Sequence, residues 1–177
     1  MKTALTSSIL VLLLLFAGCT RHIKPEKFDV YPDLIKNFSG EAPIRIVVPE
    51  NAEKEYLIEY KDPKQASGKI YVDLQDLYDI AKGLMENELK KHDVPVNANA
   101  GKTITFTIQK VQWEIWAGGF SLGAYMDFLV ETGDGYQMSY SVQDGSAMDV
   151  NRSVGGVITR SVEKIFQDEK ILAYIEN

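Results

Sequence analysis

The sequence predicts an α+β domain, with an antiparallel sheet of about four to five strands and two main helices packed on one face. Three observations lead there. An apolar stripe at helical spacing runs through residues 74–89, and a second runs through 150–166. Between them, three segments alternate apolar and polar residues, as strands with one buried face do.

Taken in chain order, Ile44-Arg45-Ile46-Val47-Val48 is a short β-branched run and reads as a strand, with Tyr56–Tyr60 a weaker one and Ile70–Val72 a brief third. Asp73 is placed to cap the first helix, with Asp76 three residues on. Leu74, Leu77, Tyr78, Ala81, Leu84, Met85 and Leu89 form its stripe; Lys90 and Lys91 suit the negative end of its dipole, and Pro95 discourages continuation. Ile104, Phe106 and Ile108 share one side of the next strand, but beyond Gln109-Lys110 the apolar set becomes Val111, Trp113 and Ile115, a one-residue phase change that predicts a bulge. Ala124, Met126, Phe128 and Val130 line one face of a further strand, Gly133-Asp134-Gly135 signals a hairpin, and Tyr136, Met138, Tyr140 and Val142 alternate with Gln137, Ser139, Ser141 and Gln143. The second helix is expected over 149–167. Gly155 and Gly156 inside it each cost about 1 kcal/mol against alanine, which predicts a close approach of that turn to the sheet. A short helix over 169–175 closes the chain.

The N-terminus is of another kind. Ile9–Ala17 are nine apolar residues, roughly 14 Å of helix at ~1.5 Å each, too short to span a bilayer. With Lys2 ahead and small residues behind, residues 1–18 have the layout of a secretory signal peptide. Phe16-Ala17-Gly18-Cys19 resembles the lipobox of bacterial lipoproteins, with Phe where Leu is usual. That resemblance implies cleavage before Cys19 and three acyl chains on it. Two membrane signals already make anchoring stable. Lipidation also accounts for the only cysteine of an exported chain, which has no disulfide partner. Thr20, where an Asp would favour the inner membrane of enteric bacteria, points to the outer membrane and its periplasmic side. The expected organisation is a signal peptide over 1–18, the lipidated cysteine and a tether over 19–42, in which Val30, Tyr31, Leu34 and Ile35 are candidates to dock, and one domain over 43–177.

Without residues 1–18, the chain has 159 residues with 18 basic against 25 acidic side chains, enough for one core and without the positive footprint of a nucleic-acid binder. The order of features, with SVGGVITRSVEKIFQDEKILAYI near the end, resembles the YajG-like family of bacterial lipoproteins. The resemblance is best from about Lys69 onward. It implies location and fold, and carries over no functional residue except Cys19.

Enzyme chemistry finds little support. Gly101-Lys102-Thr103 lacks the upstream glycine of a phosphate-binding loop and enters a strand. His22 and His92 are the only histidines, neither beside a nucleophile, so no catalytic residue, metal or cofactor is expected beyond the covalent lipid on Cys19. Asp127 and Glu131 share one side of a strand and form the only carboxylate pair weighed for hydrolysis of cell-wall material. Trp113, Trp116 and Phe120 surround Ala117-Gly118-Gly119, and with Tyr125 they form the candidate partner-binding patch. The sequence therefore points to a non-enzymatic, membrane-anchored envelope protein. It would bind an envelope protein or a cell-wall component, or assemble as a homo-oligomer. The alternative is a carrier of an apolar ligand, which requires a cavity lined by Phe106, Met126 and Phe128.

Overall fold

The computed structural model describes residues 19–65, 68–116, 121–147 and 149–177; residues 1–18, expected to be a signal peptide, fall outside them. In chain order the elements are β1 (Cys19–Ile23), β2 (Ile44–Val47), β3 (Tyr56–Tyr60), β4 (Gly68–Val72), α1 (Leu74–Lys91), β5 (Lys102–Trp116), β6 (Ser121–Thr132), β7 (Gln137–Ser146), α2 (Val150–Ile165) and α3 (Glu169–Glu176). The α+β class holds, but the sheet has seven strands in the order β1-β4-β3-β5-β6-β7, with β2 beside β5. It is mixed rather than antiparallel: β1 with β4, β2 with β5 and β3 with β5 run parallel. The discrepancy lies in the short N-terminal strands. A run of four or five β-branched or aromatic residues marks a strand without marking its partner or direction, and each of these pairs across an intervening segment.

β5 is long enough for two short strands to share one of its edges. β2 pairs with Lys102–Thr105, and β3 with Gln112 and Trp113. On the other edge β6 and then β7 form an antiparallel meander. The phase change in β5 is a bulge at Gln109, because Ile108 faces Phe128 while Lys110 faces Asp127. Gly135 takes φ 95° in the β6–β7 turn, a conformation suited to glycine.

The helices begin where the sequence signals. The Asp73 carboxylate accepts from Gln75 N at 2.8 Å, and that of Asp149 from Arg152 N at 3.2 Å. α1 stops before Pro95: Asp93 adopts φ 58°, and Val94 N donates back to Leu89 O at 2.9 Å. Both main helices cover the same face of the sheet. Tyr78 of α1 meets Phe106 edge-on at 6.2 Å between ring centres, and its hydroxyl accepts from Ile108 N. From α2, Ser161 Oγ lies 3.5 Å from Met126 Sδ. Phe106, Met126 and Phe128 are all 0 % exposed, and the two phenylalanine rings stand 5.2 Å apart. Among the described residues, the three side chains named for a carrier's cavity are packed into the core rather than lining open space.

Residues 19–42, read from sequence as a tether, lie on the fold. Their first five residues form β1. The remainder is a strap along the helices, and Ile23, Val30 and Phe38 join the core. Glu26 N donates to Asn151 O at 3.2 Å, Tyr31 N to the buried carboxylate of Glu163 at 3.2 Å, and Lys36 pairs with Glu169 at 2.8 Å. The Phe38 ring stacks on Phe166 and His92, 5.3 and 4.1 Å away. The glycine pair of α2 is explained in part by this strap. A methyl group on Gly155 would stand 2.0 Å from Glu26 O, so the close approach is to the strap; only Gly156 is pressed from the sheet, by the Asp144 side chain of β7.

Two alanine substitutions in helices therefore have opposite expected outcomes. Gly155→Ala overpacks the strap contact and should cost about 1–3 kcal/mol, exposing residues 24–42 to protease. Gly83→Ala in α1, where a methyl group meets nothing within 4 Å, should raise stability by up to about 1 kcal/mol. Thermal unfolding and limited proteolysis of the two variants check the pair.

Candidate functional site

Alternation along β5 and β6 sends Glu114, Trp116, Gly123 and Tyr125 to the sheet face opposite the helices, at the end of the β5–β6 hairpin. The Trp116 indole lies flat across two neighbouring strands. A methyl group on Gly123 of β6 or on Gly145 of β7 would come within 2.4 Å of its ring atoms. These glycines form a seat that any side chain would fill. The indole is held in register by polar contacts. Trp116 Nε1 donates to Tyr125 Oη at 3.0 Å and to Glu114 Oε2 at 3.2 Å, and Tyr125 Oη donates to Glu114 Oε2 at 2.6 Å. The two rings meet edge-on, with 6.3 Å between centres, and Lys61 Nζ stands 3.7 Å from the centre of the Tyr125 ring.

The hydrogen bond from Tyr125 holds the Glu114 carboxyl below its ordinary range, against the opposing effect of desolvation. The Trp116 N–H and the Lys61 charge add to the lowering. The result is a half-buried aromatic platform carrying one fixed carboxylate and one ammonium. It offers flat apolar area plus directional polar contacts, the combination by which Trp and Tyr dominate binding surfaces.

Of the four patch residues expected from sequence, the structure brings Trp116 and Tyr125 together and separates Trp113. Trp113 points to the helix-covered face, 8 % exposed, with its ring 4.8 Å from that of Tyr60; its buried Nε1 has no hydrogen-bond partner among the described residues. An odd number of residues between two positions of one strand puts them on the same face, and Trp113 and Trp116 have an even number between them. Phe120 and the linking 117–119 lie outside the described residues, as does the Cys19 side chain; the Cys19 backbone opens β1 opposite Gly68. Asp127 and Glu131 do share the outer face. Each is tied to a neighbour on or beside β7, Asp127 accepting from Ser141 Oγ and Glu131 from Gln137 Nε2.

A second polar–aromatic cluster was not legible in the sequence. Asp168 caps α3, accepting from Lys170 N and Ile171 N at 2.8 and 3.1 Å, and its other oxygen accepts from Tyr136 Oη at 3.1 Å and from Tyr140 Oη. Burial alone raises the Asp168 pKa, but the hydrogen bonds from Tyr140, the two backbone amides and Tyr136 together bring it below its ordinary value. Burial, then the bond to Asp168, pushes the Tyr140 hydroxyl up. Only the capping half of this arrangement has a local signal, the Asp at the head of the last helical segment.

No protein-family model and no curated protein matches the chain. Among solved structures, protein XCC0632 from Xanthomonas campestris, assigned to DUF330, superposes with a TM-score of 0.50 at 10% identity, covering 87% of this chain and 94% of that one. A minor lipoprotein from Acinetobacter baumannii gives 0.41 at 10% identity over 76% and 93% of the two chains, and a PelC dodecamer from Paraburkholderia phytofirmans gives 0.38 at 12% over 81% and 95%. The chain thus shares its fold with the DUF330 protein.

Two variants test the clusters. Tyr125→Phe removes the main donor to Glu114, so the Glu114 pKa, followed by carboxyl NMR, should rise toward the ordinary glutamate range. The Asp168 pKa is depressed in the fold, so its stabilising contribution is full above the unfolded aspartate value, near ~3.9, and is lost as pH falls through the lower folded value. Asp168→Asn should lose that part of the acid dependence of thermal unfolding while keeping a helix cap.

Proposed function

We propose that this chain is a lipid-anchored envelope lipoprotein without catalytic activity, of the YajG-like kind, held at the outer membrane and binding a partner protein or cell-wall component through the Trp116–Tyr125 platform. The observation that carries this reading is the Phe16-Ala17-Gly18-Cys19 sequence directly ahead of a strand bound into the domain. Three acyl chains at Cys19 would hold the whole fold at a bilayer. The fold shared with the DUF330 protein is compatible with this reading and assigns no activity. The platform is the binding surface of choice because its indole is seated on two glycines and both rings are locked by hydrogen bonds, so little side-chain freedom is lost when a partner covers them.

The anchor is tested by mass analysis of the mature N-terminus and by Cys19→Ser. An acylated Cys19 and release of the variant from the membrane fraction are the expected results; a free thiol in the native product overturns the reading. The surface is tested by placing a photo-crosslinking residue at Tyr125 in intact cells. A discrete adduct with a second envelope component, absent when the same residue replaces exposed Ser139, is expected. Equal, diffuse labelling from both positions counts against the platform.

A further inference from the structure

The anchor point and the sheet register together define which end of the domain meets the bilayer. Cys19 pairs with Gly68 and Thr20 with Lys69, while β3 runs antiparallel beside β4 and ends where Tyr60 pairs with Trp113. Cys19, Gly68, Tyr60 and Trp113 therefore lie in one row across β1, β4, β3 and β5, roughly 14 Å wide at the ~4.8 Å strand spacing. Beyond the row lie the 3₁₀ turn Pro63–Gln65 and the Trp116–Ser121 end of the β5–β6 hairpin. The opposite end of β5 carries Lys102 and the 133–135 turn.

Lipid attached to Cys19 has no spacer to the fold, because the residue that bears it is already hydrogen-bonded into the sheet. One anchor point still leaves the domain free to tilt. The charge around the row removes that freedom. Residues 61–69 hold Lys61, Lys64 and Lys69 against Asp62, in a chain of net charge −6, and Lys61 is held over the Tyr125 ring beside a further acid of this end, Glu114. All three lysines are exposed, and Lys69 stands opposite Thr20, one residue from the anchor. A cluster of lysines within a Debye length of a bilayer is drawn to anionic headgroups, whereas the acidic remainder of the chain is repelled.

Resting on the reading of Cys19 as the lipidated residue, we infer that the Lys61–Lys64–Lys69 end of the sheet docks on the anionic phospholipid headgroups of the bilayer that holds the acyl chains, so that the domain stands with this end down and the 133–135 turn facing water. The Trp116–Tyr125 platform then lies close above the membrane surface, where it meets partners that are themselves at the membrane.

The acylated full-length protein is reconstituted in vesicles of phosphatidylethanolamine with phosphatidylglycerol, and separately in phosphatidylcholine. A spin label is placed at Pro63→Cys or at Asp134→Cys, the Cys19 sulfur being blocked by lipid. The expected result is a label at 63 shielded several-fold from a water-soluble nickel reagent in the anionic vesicles, with the label at 134 open in both. Adding K61E, K64E and K69E should abolish the shielding at 63 while the protein still floats with the vesicles. Floating protein with equal access at 63 and 134 overturns the orientation alone. Spin–spin broadening at 63, showing a second copy on this end, overturns it as well. Protein that does not float and carries no acyl mass overturns the anchor and the orientation together.

Discussion

The carbonyl of Glu26 lies so close to Gly155 that one added methyl group would overlap it. Around this contact the strap is fastened to α2 at Asn151 and Glu163, and to α3 at Glu169. A chain that leaves β1 and is immediately pinned to a helix cannot act as a loose leash. The segment between Cys19 and β2 is here part of the domain. The buried carboxylate of Glu163 belongs to the same design, since it is satisfied from two sides, by the strap amide of Tyr31 and by Arg160 at 2.9 Å.

The two sheet faces divide the labour. The inner face is filled: Ile104, Phe106, Val111, Met126, Phe128 and Val130 are fully buried under two helices. Filling of this kind gives stability and a single packing arrangement. The outer face carries threonine, serine and glutamine along most of its length, and only near the hairpin end does it gather an indole, a phenol, a carboxylate and an ammonium into one linked group. Nothing in that group resembles a nucleophile with its base. It offers flat apolar area with directional hydrogen-bonding groups at its edge.

Fold similarity at 10% identity marks a shared arrangement of helices and sheet. It is the position of particular side chains on that arrangement that gives this chain its own properties. The glycine seat beneath Trp116 and the lysines beside the start of β1 are features of residues, and a backbone superposition does not register them.

Much of the fold was written in local pattern. Both main helices, the meander, the bulge at Gln109 and the division of β7 into an inner tyrosine–valine set and an outer serine–glutamine set follow from periods of 3.6 and 2 in neighbouring residues, and Asp73 marked the first helix's cap. The strap was legible only in part: Val30, a candidate to dock, is buried, but Tyr31 and Leu34 are exposed, Phe38 is a single apolar residue in an irregular chain, and the glycine that admits the strap lies in a distant helix. For the same reason the parallel pairings of β1, β2 and β3 were not foreseen, since direction and partner depend on where the connecting chain is laid. The candidate site was half legible. Aromatics beside glycines drew attention to Trp116 and Tyr125, but only the pleat of β5 told Trp113 from Trp116, and only the alignment of three strands put Gly123 and Gly145 beneath one indole. By itself the sequence determined what each segment is and that Cys19 has the setting of a lipidated residue, because those depend on adjacent side chains. Tertiary structure decided how Cys19 is joined to the domain and which surface is presented beside it, because both are set by hydrogen bonds between strands that are far apart in the chain.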